Sequence, residues 1–244
     1  MLISPRVADE FVDSCNLTPT SRVLEIGTGD GIITKRLAEK AGFVLSIEID
    51  PDLYQKTRTE LSSFRNLELV CSDAFTYNLK DRKFDCCITS LPYSESLRFS
   101  KWLAERSNLF LSTSAIVQSE FASKLIAIPG HSSFRAISVI TQISFNIQHL
   151  FAVDRKSFAP SPRVQSDAIR FTPNNQFQQP YFNEKRMRVI DFIFSFRGRK
   201  LSSVLKKLDL RNLKIRDAVV AERVEKISPL VYSTIIQVLE AATF

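Results

Sequence analysis

Short apolar runs alternate with amphipathic stretches along the first two thirds of the chain. The amphipathic stretches have helical periodicity and lie at 6–15, 32–40 and 51–64. The apolar runs predict seven strands, at 23–26, 43–49, 67–71, 84–89, 115–118, 146–153 and 168–171. Because strands that alternate with helices at this spacing form βαβ units, the pattern predicts an α/β fold with a mostly parallel sheet.

The pattern changes after the last predicted strand. Residues 172–180 are polar and contain a proline near each end, which is typical of a linker. Three stretches beyond this linker have helical periodicity, at 184–196, 200–208 and 229–241. We therefore predict an α/β domain over residues 1–175 and a small helical domain over residues 176–244.

The positive charge of the chain is concentrated towards its C-terminal end. The 244 residues carry a formal net charge of +7. Residues 181–244 hold 13 Lys and Arg against 7 Asp and Glu, whereas residues 1–180 hold 20 against 19. This asymmetry favours a polyanion as the partner of the helical domain, and a solvated basic surface is the alternative.

Several classes of protein are disfavoured by the composition. No apolar run is long enough for a membrane helix, and the first residues carry charge without an apolar signal core. The cysteines and histidines form no pattern with the spacing of a zinc site; they are Cys15, Cys71, Cys86, Cys87, His131 and His149. We therefore expect a cytoplasmic protein with no membrane partner and no metal.

Half of the glycines of the chain lie in one loop between a predicted strand and a predicted helix. They are Gly27, Gly29 and Gly31, and glycine lets a backbone approach a ligand closely. Glu48 ends the second predicted strand and Asp73 follows the third, where acidic side chains accept hydrogen bonds from ribose hydroxyls and an adenine amino group. These positions share the sheet edge at which α/β proteins bind ligands, so they predict a nucleoside-containing cofactor.

Two cofactors compete for this loop. A nicotinamide dinucleotide favours the spacing G-x-G-x-x-G and rests its pyrophosphate on a helix N-terminus. This loop has the spacing G-x-G-x-G, and Asp30 inside it would repel a diphosphate. S-adenosylmethionine carries no phosphate, so the sequence favours S-adenosylmethionine.

The tetrapeptide Ser90-Leu-Pro-Tyr93, after the fourth predicted strand, resembles the motif of methyltransferases that act on exocyclic amino groups. The form Asn-Leu-Pro-Tyr belongs to the ribosomal RNA adenine-N6,N6-dimethyltransferases, and the resemblance to this family runs the length of the chain. Its most specific match is the segment 158–166, which follows the family pattern F-x-P-x-P-x-V-x-S. Further segments that resemble the family are 23–31, 46–50, 117–120, 138–142 and 196–201.

This resemblance implies a Rossmann-like class I methyltransferase fold and a catalytic role for the tetrapeptide. An aromatic amine is a poor nucleophile, and acceptors on its N–H groups stabilise the charge that develops during methyl transfer. The resemblance implies that the Ser90 side chain and the Leu91 carbonyl are these acceptors. It also implies that Pro92 stiffens the loop and that Tyr93 stacks on a flipped base. Phe158 is a candidate for the opposite face of the base, and packing in the core is the alternative.

The resemblance also assigns the cofactor contacts. They are Leu2, Glu25, Gly27, Gly29, Gly31, Glu48, Ile49, Asp73, Ala74 and Ser90. Leu2 lies in the stretch that corresponds to the end of the family's opening segment. Ser90 is a departure, because the family has Asn there, and a hydroxyl is a shorter acceptor than an amide.

Five basic residues of the helical domain are the predicted RNA contacts: Arg197, Arg199, Lys200, Lys206 and Lys207. No acidic residue lies between Asp191 and Asp209, so the cluster suits salt-dependent binding to phosphates. The main hypothesis is a monomeric enzyme that dimethylates adenine N6 in small-subunit ribosomal RNA. The alternatives are a non-catalytic factor that binds RNA or the ribosome, and an amino-methyltransferase with another target, such as cytosine N4.

Overall fold

Seven strands form one sheet in the computed structural model, which describes residues 1–79, 82–177, 181–207 and 217–241. The strands are β1 (Arg22–Ile26), β2 (Phe43–Glu48), β3 (Leu67–Cys71), β4 (Cys86–Thr89), β5 (Ser112–Gln118), β6 (Phe145–Val153) and β7 (Ser166–Pro173). Their order across the sheet is β3-β2-β1-β4-β5-β7-β6. The pairs from β3 to β5 are parallel and β7 is antiparallel to β5, which confirms the predicted mostly parallel sheet.

Ten α-helices precede, connect or follow these strands in the described part of the chain. They are α1 (Pro5–Ser14), α2 (Ile32–Lys40), α3 (Pro51–Glu60), α4 (Ser96–Ala104), α5 (Ser119–Ile126), α6 (Ala136–Ser144), α7 (Glu184–Phe194), α8 (Leu201–Lys207), α9 (Asp217–Ala221) and α10 (Pro229–Ala241). The side chains of Ser4 and Asp50 cap α1 and α3, and a proline follows each cap.

Two predicted helices end earlier than expected, α3 and α7; α7 ends at Phe194 rather than at residue 196. Helix α3 ends at Glu60 rather than at residue 64, because Ser62 and Ser63 are poor helix formers. The hydroxyl of Ser62 donates a hydrogen bond back to the carbonyl of Thr59. The end of the helix predicted over 200–208 lies outside the described residues, since the description stops at Lys207.

The chain divides into two compact units that are not contiguous in sequence. The first comprises Met1–Phe99, Asn108–Ala122 and Gln148–Pro173. The second comprises Ser100–Ser107, Ser123–Ile147 and Asn174–Phe244. Two segments that the sequence analysis assigned to the α/β domain therefore belong to the second unit. The domain boundary near residue 176 stays a prediction.

The core of the first unit lies around its central strands. Val23, Leu24, Val44, Leu45 and Ile88 are fully buried. Strand β1 pairs with β2 and β4 in parallel, so the strands that carry the predicted site end at the same edge of the sheet. The loops that follow these strands are thereby brought together.

The second unit has an apolar core of its own. The ring centroids of Phe134 and Phe194 lie 5.9 Å apart, and those of Phe194 and Tyr232 lie 5.5 Å apart. The buried hydroxyl of Tyr232 donates a hydrogen bond to the carbonyl of Val224 at 2.6 Å. This aromatic cluster gives the C-terminal helices a packed interior.

Candidate active site

A cavity of about 390 Å³ opens where strands β1 to β4 end. Its volume lies within the range of small-molecule sites in proteins. Residues from the four loops that follow these strands line it, including Gly27, Gly29, Glu48, Ile49, Asp73, Ala74, Ser90, Leu91 and Pro92. The structure therefore brings together most of the cofactor contacts predicted from the sequence.

The glycine loop is held tightly between β1, the tetrapeptide and α3. The N–H of Gly27 donates to the carbonyl of Ile47 at 2.9 Å. A Cβ atom on Gly27 would lie 3.2 Å from Leu91 Cδ2, so glycine lets the loop approach the tetrapeptide closely. Gly31 begins α2 in the left-handed region, with φ +75°, and a Cβ there would lie 2.8 Å from Thr57 Cγ2.

The Glu48 carboxylate lies against the glycine loop and is held by backbone N–H groups. It accepts hydrogen bonds from the N–H of Gly29 at 2.8 Å and from the N–H of Asp50 at 3.0 Å. The side chain is buried and lines the cavity, so its oxygens are fixed in place. The neighbouring Ile49 also lines the cavity and is 66% exposed, which offers an apolar surface to a ligand.

Asp73 lines the same cavity from the loop after β3. One carboxylate oxygen accepts a hydrogen bond from the N–H of Phe75 at 2.9 Å, and the other accepts one from Arg98 at 2.6 Å. Partial burial acts to raise the pKa of Asp73, but these two hydrogen bonds outweigh it and hold the pKa below its ordinary value. Asp73 is therefore an ionised acceptor.

Glu25 does not line the cavity, although the sequence analysis placed it among the cofactor contacts. It lies within β1, its side chain is enclosed, and it accepts a hydrogen bond from the Ser46 hydroxyl at 2.6 Å. Burial raises the pKa of Glu25 to about 8. Gly31 does not line the cavity either, because it begins α2 against α3. Leu2 lies against a small neighbouring cavity beside the glycine loop.

The tetrapeptide forms a wall shared by two cavities. Ser90, Leu91 and Pro92 line the large cavity and also a second one of about 250 Å³. Tyr93 and Phe158 line this second cavity together with Leu2, Ile116, Pro160 and Pro162. Among the described residues none hydrogen bonds to the Ser90 hydroxyl, so its lone pairs are available to a ligand. A methyl donor and an acceptor base can thus lie on opposite sides of the tetrapeptide.

The aromatic ring of Tyr93 is anchored at the edge of the second cavity. Its hydroxyl lies 2.6 Å from the Ser166 hydroxyl, within hydrogen-bond distance. Ser166 begins β7, which pairs with β5. The sheet therefore fixes the position of the ring.

Asp30 repels a diphosphate less strongly than the sequence predicts. The carboxylate of Asp30 forms an ion pair with Lys56 at 2.7 Å, so part of its charge is compensated. The charge of Asp30 therefore does not by itself exclude a cofactor that carries phosphates.

The five predicted RNA contacts are all exposed, in the second unit. Lys207 Nζ lies 4.7 Å from the centroid of the Phe196 ring. The sequence pattern missed Glu225, whose carboxylate accepts a hydrogen bond from the N–H of Gly198 at 2.8 Å. Burial acts to raise the pKa of Glu225, but this hydrogen bond and the charge of Arg197 hold it below its ordinary value. The basic cluster therefore contains one ionised acid.

Several residues that line the two cavities were missed by the sequence analysis. Pro160 and Pro162 lie in the segment 158–166, whose pattern pointed to them indirectly. Glu95 and Arg98 line the large cavity, and no motif in the sequence indicates either of them.

Neither a membrane span nor a metal cluster is found in the parts of the chain that the structure describes. No helix there combines the length and the apolar character needed to cross a membrane. In the same residues, no three His, Cys, Asp or Glu side chains lie together as a metal site requires.

The strand order and the cavity at the ends of β1 to β4 define a Rossmann-like class I methyltransferase fold. A family model described as ribosomal RNA adenine dimethylase matches residues 1–243. The chain belongs to this family, which confirms the resemblance drawn from the sequence motifs.

Similar proteins include two curated relatives. A probable dimethyladenosine transferase of Dictyostelium discoideum is 32% identical over 178 residues, which are 72% of this chain and 56% of the relative. A mitochondrial ribosomal RNA small subunit methyltransferase of Arabidopsis thaliana is 31% identical over 176 residues, which are 71% of this chain and 46% of the relative. The chain thus spans about half the length of these relatives.

A solved structure covers the whole chain. A dimethyladenosine transferase from Plasmodium falciparum has a TM-score of 0.82 and 21% identity, and the match covers 100% of this chain and 98% of the other. At this identity the likeness is one of fold.

Proposed function

We propose that this protein transfers methyl groups from S-adenosylmethionine to the N6 amino group of adenines in small-subunit ribosomal RNA. The observation that carries the proposal is the shared wall: the tetrapeptide from Ser90 to Tyr93 lines a cofactor-sized cavity and a second cavity bordered by two aromatic residues. Membership of the ribosomal RNA adenine dimethylase family supports the target.

The residues of the large cavity fit S-adenosylmethionine. Glu48 offers carboxylate oxygens to ribose hydroxyls, Asp73 offers one to the adenine amino group, and Ile49 offers an apolar surface to the adenine ring. When bound, the cofactor supplies an electrophilic methyl group on a sulfonium sulfur.

The chain's own residues prepare the amine. The Ser90 hydroxyl and the Leu91 carbonyl accept hydrogen bonds from its two N–H groups, so they stabilise the positive charge that develops on nitrogen as the bond from sulfur to methyl breaks. The methylated nitrogen then releases one proton to water, which removes this charge. Tyr93 and Phe158 hold the flipped base by stacking, which contributes about 1 to 3 kcal/mol per base. Glu25, whose pKa is raised to about 8, lies outside both cavities and takes no part in proton transfer.

The second unit supplies affinity for RNA in this proposal. The five exposed cations of its predicted basic cluster bind phosphates without reading sequence, and the partner is the small ribosomal subunit or its RNA. A monomeric state and a cytoplasmic location belong to the same proposal, although the Arabidopsis thaliana relative is described as mitochondrial.

One assay tests the proposal. The protein is incubated with methyl-labelled S-adenosylmethionine and immature small ribosomal subunits, and the labelled nucleotide is mapped. Label on adenine N6 is the expected result, and a Tyr93→Ala variant should lose most of it. Label on cytosine N4 would show that the target is cytosine rather than adenine. Binding to the subunits without label would identify a non-catalytic factor.

A further inference from the structure

Arg98, in the first turn of α4, lies at one end of the large cavity and is not part of any recognised motif. Its guanidinium donates a hydrogen bond to the Asp73 carboxylate at 2.6 Å. The same group lies 4.5 Å from the centroid of the Phe75 ring. The Arg98 side chain therefore contacts two other residues that line the cavity, Asp73 and Phe75.

The contact with Asp73 is the strong one. A charge-assisted hydrogen bond of this length is tighter than the usual neutral one, whereas the contact from Arg98 to Glu95 is long, at 3.5 Å. A carboxylate offers about four lone-pair sites, so Asp73 can hold Arg98 and still accept an amino group from a ligand. The ion pair thus fixes the direction in which the remaining lone pairs of Asp73 point.

The ring of Phe75 keeps the guanidinium in place. A planar cation over an aromatic face gains electrostatic attraction and loses rotational freedom. Arg98 is therefore held by Phe75 on its face and by Asp73 at its edge, although about half of its side chain is exposed.

Arg98 also connects two loops that are distant in sequence. Asp73 follows β3, whereas Glu95 ends the short 3-10 turn Tyr93–Glu95 that begins within the tetrapeptide. The ion pairs of Arg98 with Asp73 and with Glu95 connect the two loops at this end of the cavity. A change in the direction of Asp73 is thereby linked to the segment that follows the tetrapeptide.

We propose that Arg98 is a positioning residue for the adenine of the cofactor, which it orients by fixing the Asp73 carboxylate. This inference rests on the proposed function, because it takes S-adenosylmethionine as the ligand of the large cavity. Arg98 acts on the ligand through Asp73, so its effect requires an intact carboxylate there.

A double-mutant cycle tests this dependence. The dissociation constant of S-adenosylhomocysteine is measured by calorimetry for the wild type, Arg98→Met, Asp73→Asn and the double variant. We expect Arg98→Met to raise it about tenfold in the wild-type background, which is the size of one charge-assisted hydrogen bond. In the Asp73→Asn background the same substitution should change it less than about twofold.

Arg188→Met is the matched control, because Arg188 forms an exposed ion pair with Glu184 in α7, outside the cavity. It should leave the dissociation constant unchanged. Arg98→Lys keeps a donor for Asp73 and should give an intermediate constant, which tests the idea even if Arg98→Met folds poorly.

Two results would overturn the positioning role: wild-type affinity in Arg98→Met, or a loss of affinity in Arg98→Met or Arg98→Lys that is equal in the wild-type and Asp73→Asn backgrounds. A wild-type protein that binds no S-adenosylhomocysteine would instead contradict the proposed function. The two failures are therefore distinguishable.

Discussion

Ser90 lies at the proposed reacting centre, where the motif that the tetrapeptide resembles has Asn. Its hydroxyl lies on the wall between the two cavities, where the proposed function needs an acceptor for an amine N–H group. An Asn side chain extends an amide carbonyl further from the backbone than a Ser hydroxyl reaches. The substitution thus shortens the acceptor without removing it.

Replacing Ser90 should change the rate of methyl transfer in both directions. We expect Ser90→Asn to raise the single-turnover rate on immature small ribosomal subunits, because the longer acceptor reaches the amine better. We expect Ser90→Ala to lower it about fivefold, since one hydrogen bond contributes roughly 1 kcal/mol. A wild-type rate in Ser90→Ala would rule out the hydroxyl as an acceptor.

Glu25 should make the stability of the protein depend on pH. In the folded protein the Glu25 carboxyl stays protonated up to about pH 8, because its pKa is raised to about 8. In the unfolded chain the same carboxyl ionises near pH 4.5. The stabilisation is therefore complete below pH 4.5 and is lost as the pH rises towards 8.

A Glu25→Gln variant should not lose stability in this way, because Gln does not ionise. The unfolding free energy of the variant minus that of the wild type should increase by up to roughly 1.4 kcal/mol per pH unit between pH 4.5 and about 8. Denaturant unfolding without cofactor, at several pH values, measures the difference. A difference that stays constant with pH would show that Glu25 titrates normally.

The turn from β1 into α2 is the element on which the geometry of the large cavity depends. Gly31 starts α2 with a left-handed backbone and faces Thr57 of α3, so the helix begins in direct contact with its neighbour. A side chain at this position would require both a strained backbone and a displaced helix. The loop that lines the cavity is thereby tied to the packing of two helices.

Alanine at Gly31 should therefore destabilise the protein more than alanine at Gly29. Both positions have positive φ, so both variants incur a backbone cost of about 1 to 2 kcal/mol. At Gly29 the added Cβ would lie 3.6 Å from Met1 Sδ, an ordinary contact, whereas at Gly31 it would overlap Thr57. Thermal unfolding without cofactor compares the two, and equal losses would contradict the packing argument.

Secondary-structure elements with a clear hydrophobic period are predicted from the sequence, and elements without one are missed. The apolar runs of β1 and β2 are predicted almost to the residue. Strand β5 begins at Ser112 rather than at residue 115, because its first residues are polar although Thr113 and Ser114 are buried. Hydrophobic periodicity carries no signal for a polar side chain that is satisfied inside a sheet.

The candidate site shows the same division. Glu48 and Asp73 were predicted because they end strands whose order in the sheet is fixed by the βαβ pattern. The ion pair between Asp73 and Arg98 was not predicted, since it joins loops whose proximity depends on side-chain packing in three dimensions. Glu25 was placed in the site by its motif, and only the fold shows that its side chain is enclosed.

Over the whole molecule, the chain forms two compact units whose segments interleave in sequence. A linear reading places a domain boundary at a polar linker, and it cannot assign the middle segments Ser100–Ser107 and Ser123–Ile147 to the second unit. Long-range packing decides such assignments. The charge asymmetry, in contrast, is a property of composition and is visible in the sequence.

The exposed cations of the second unit should determine how RNA affinity depends on salt. Neutralising Arg197, Arg199 and Lys200 with Gln should weaken binding and reduce the slope of log K against log salt by roughly 2, because each phosphate contact releases a counterion. Neutralising Arg65 and Lys83, two exposed cations of the first unit outside both cavities, is the control and should leave the slope unchanged. Titration of small-subunit ribosomal RNA at several salt concentrations measures it, and an unchanged slope in the triple variant would refute this surface.

The account as a whole depends on where the methyl donor binds relative to the tetrapeptide. A crystal structure of the protein with S-adenosylhomocysteine tests this most directly. We expect density in the large cavity, with the ribose at Glu48, the adenine at Ile49 and Asp73, and the sulfur facing Ser90. Density at another place, or an empty cavity at saturating ligand, would contradict it.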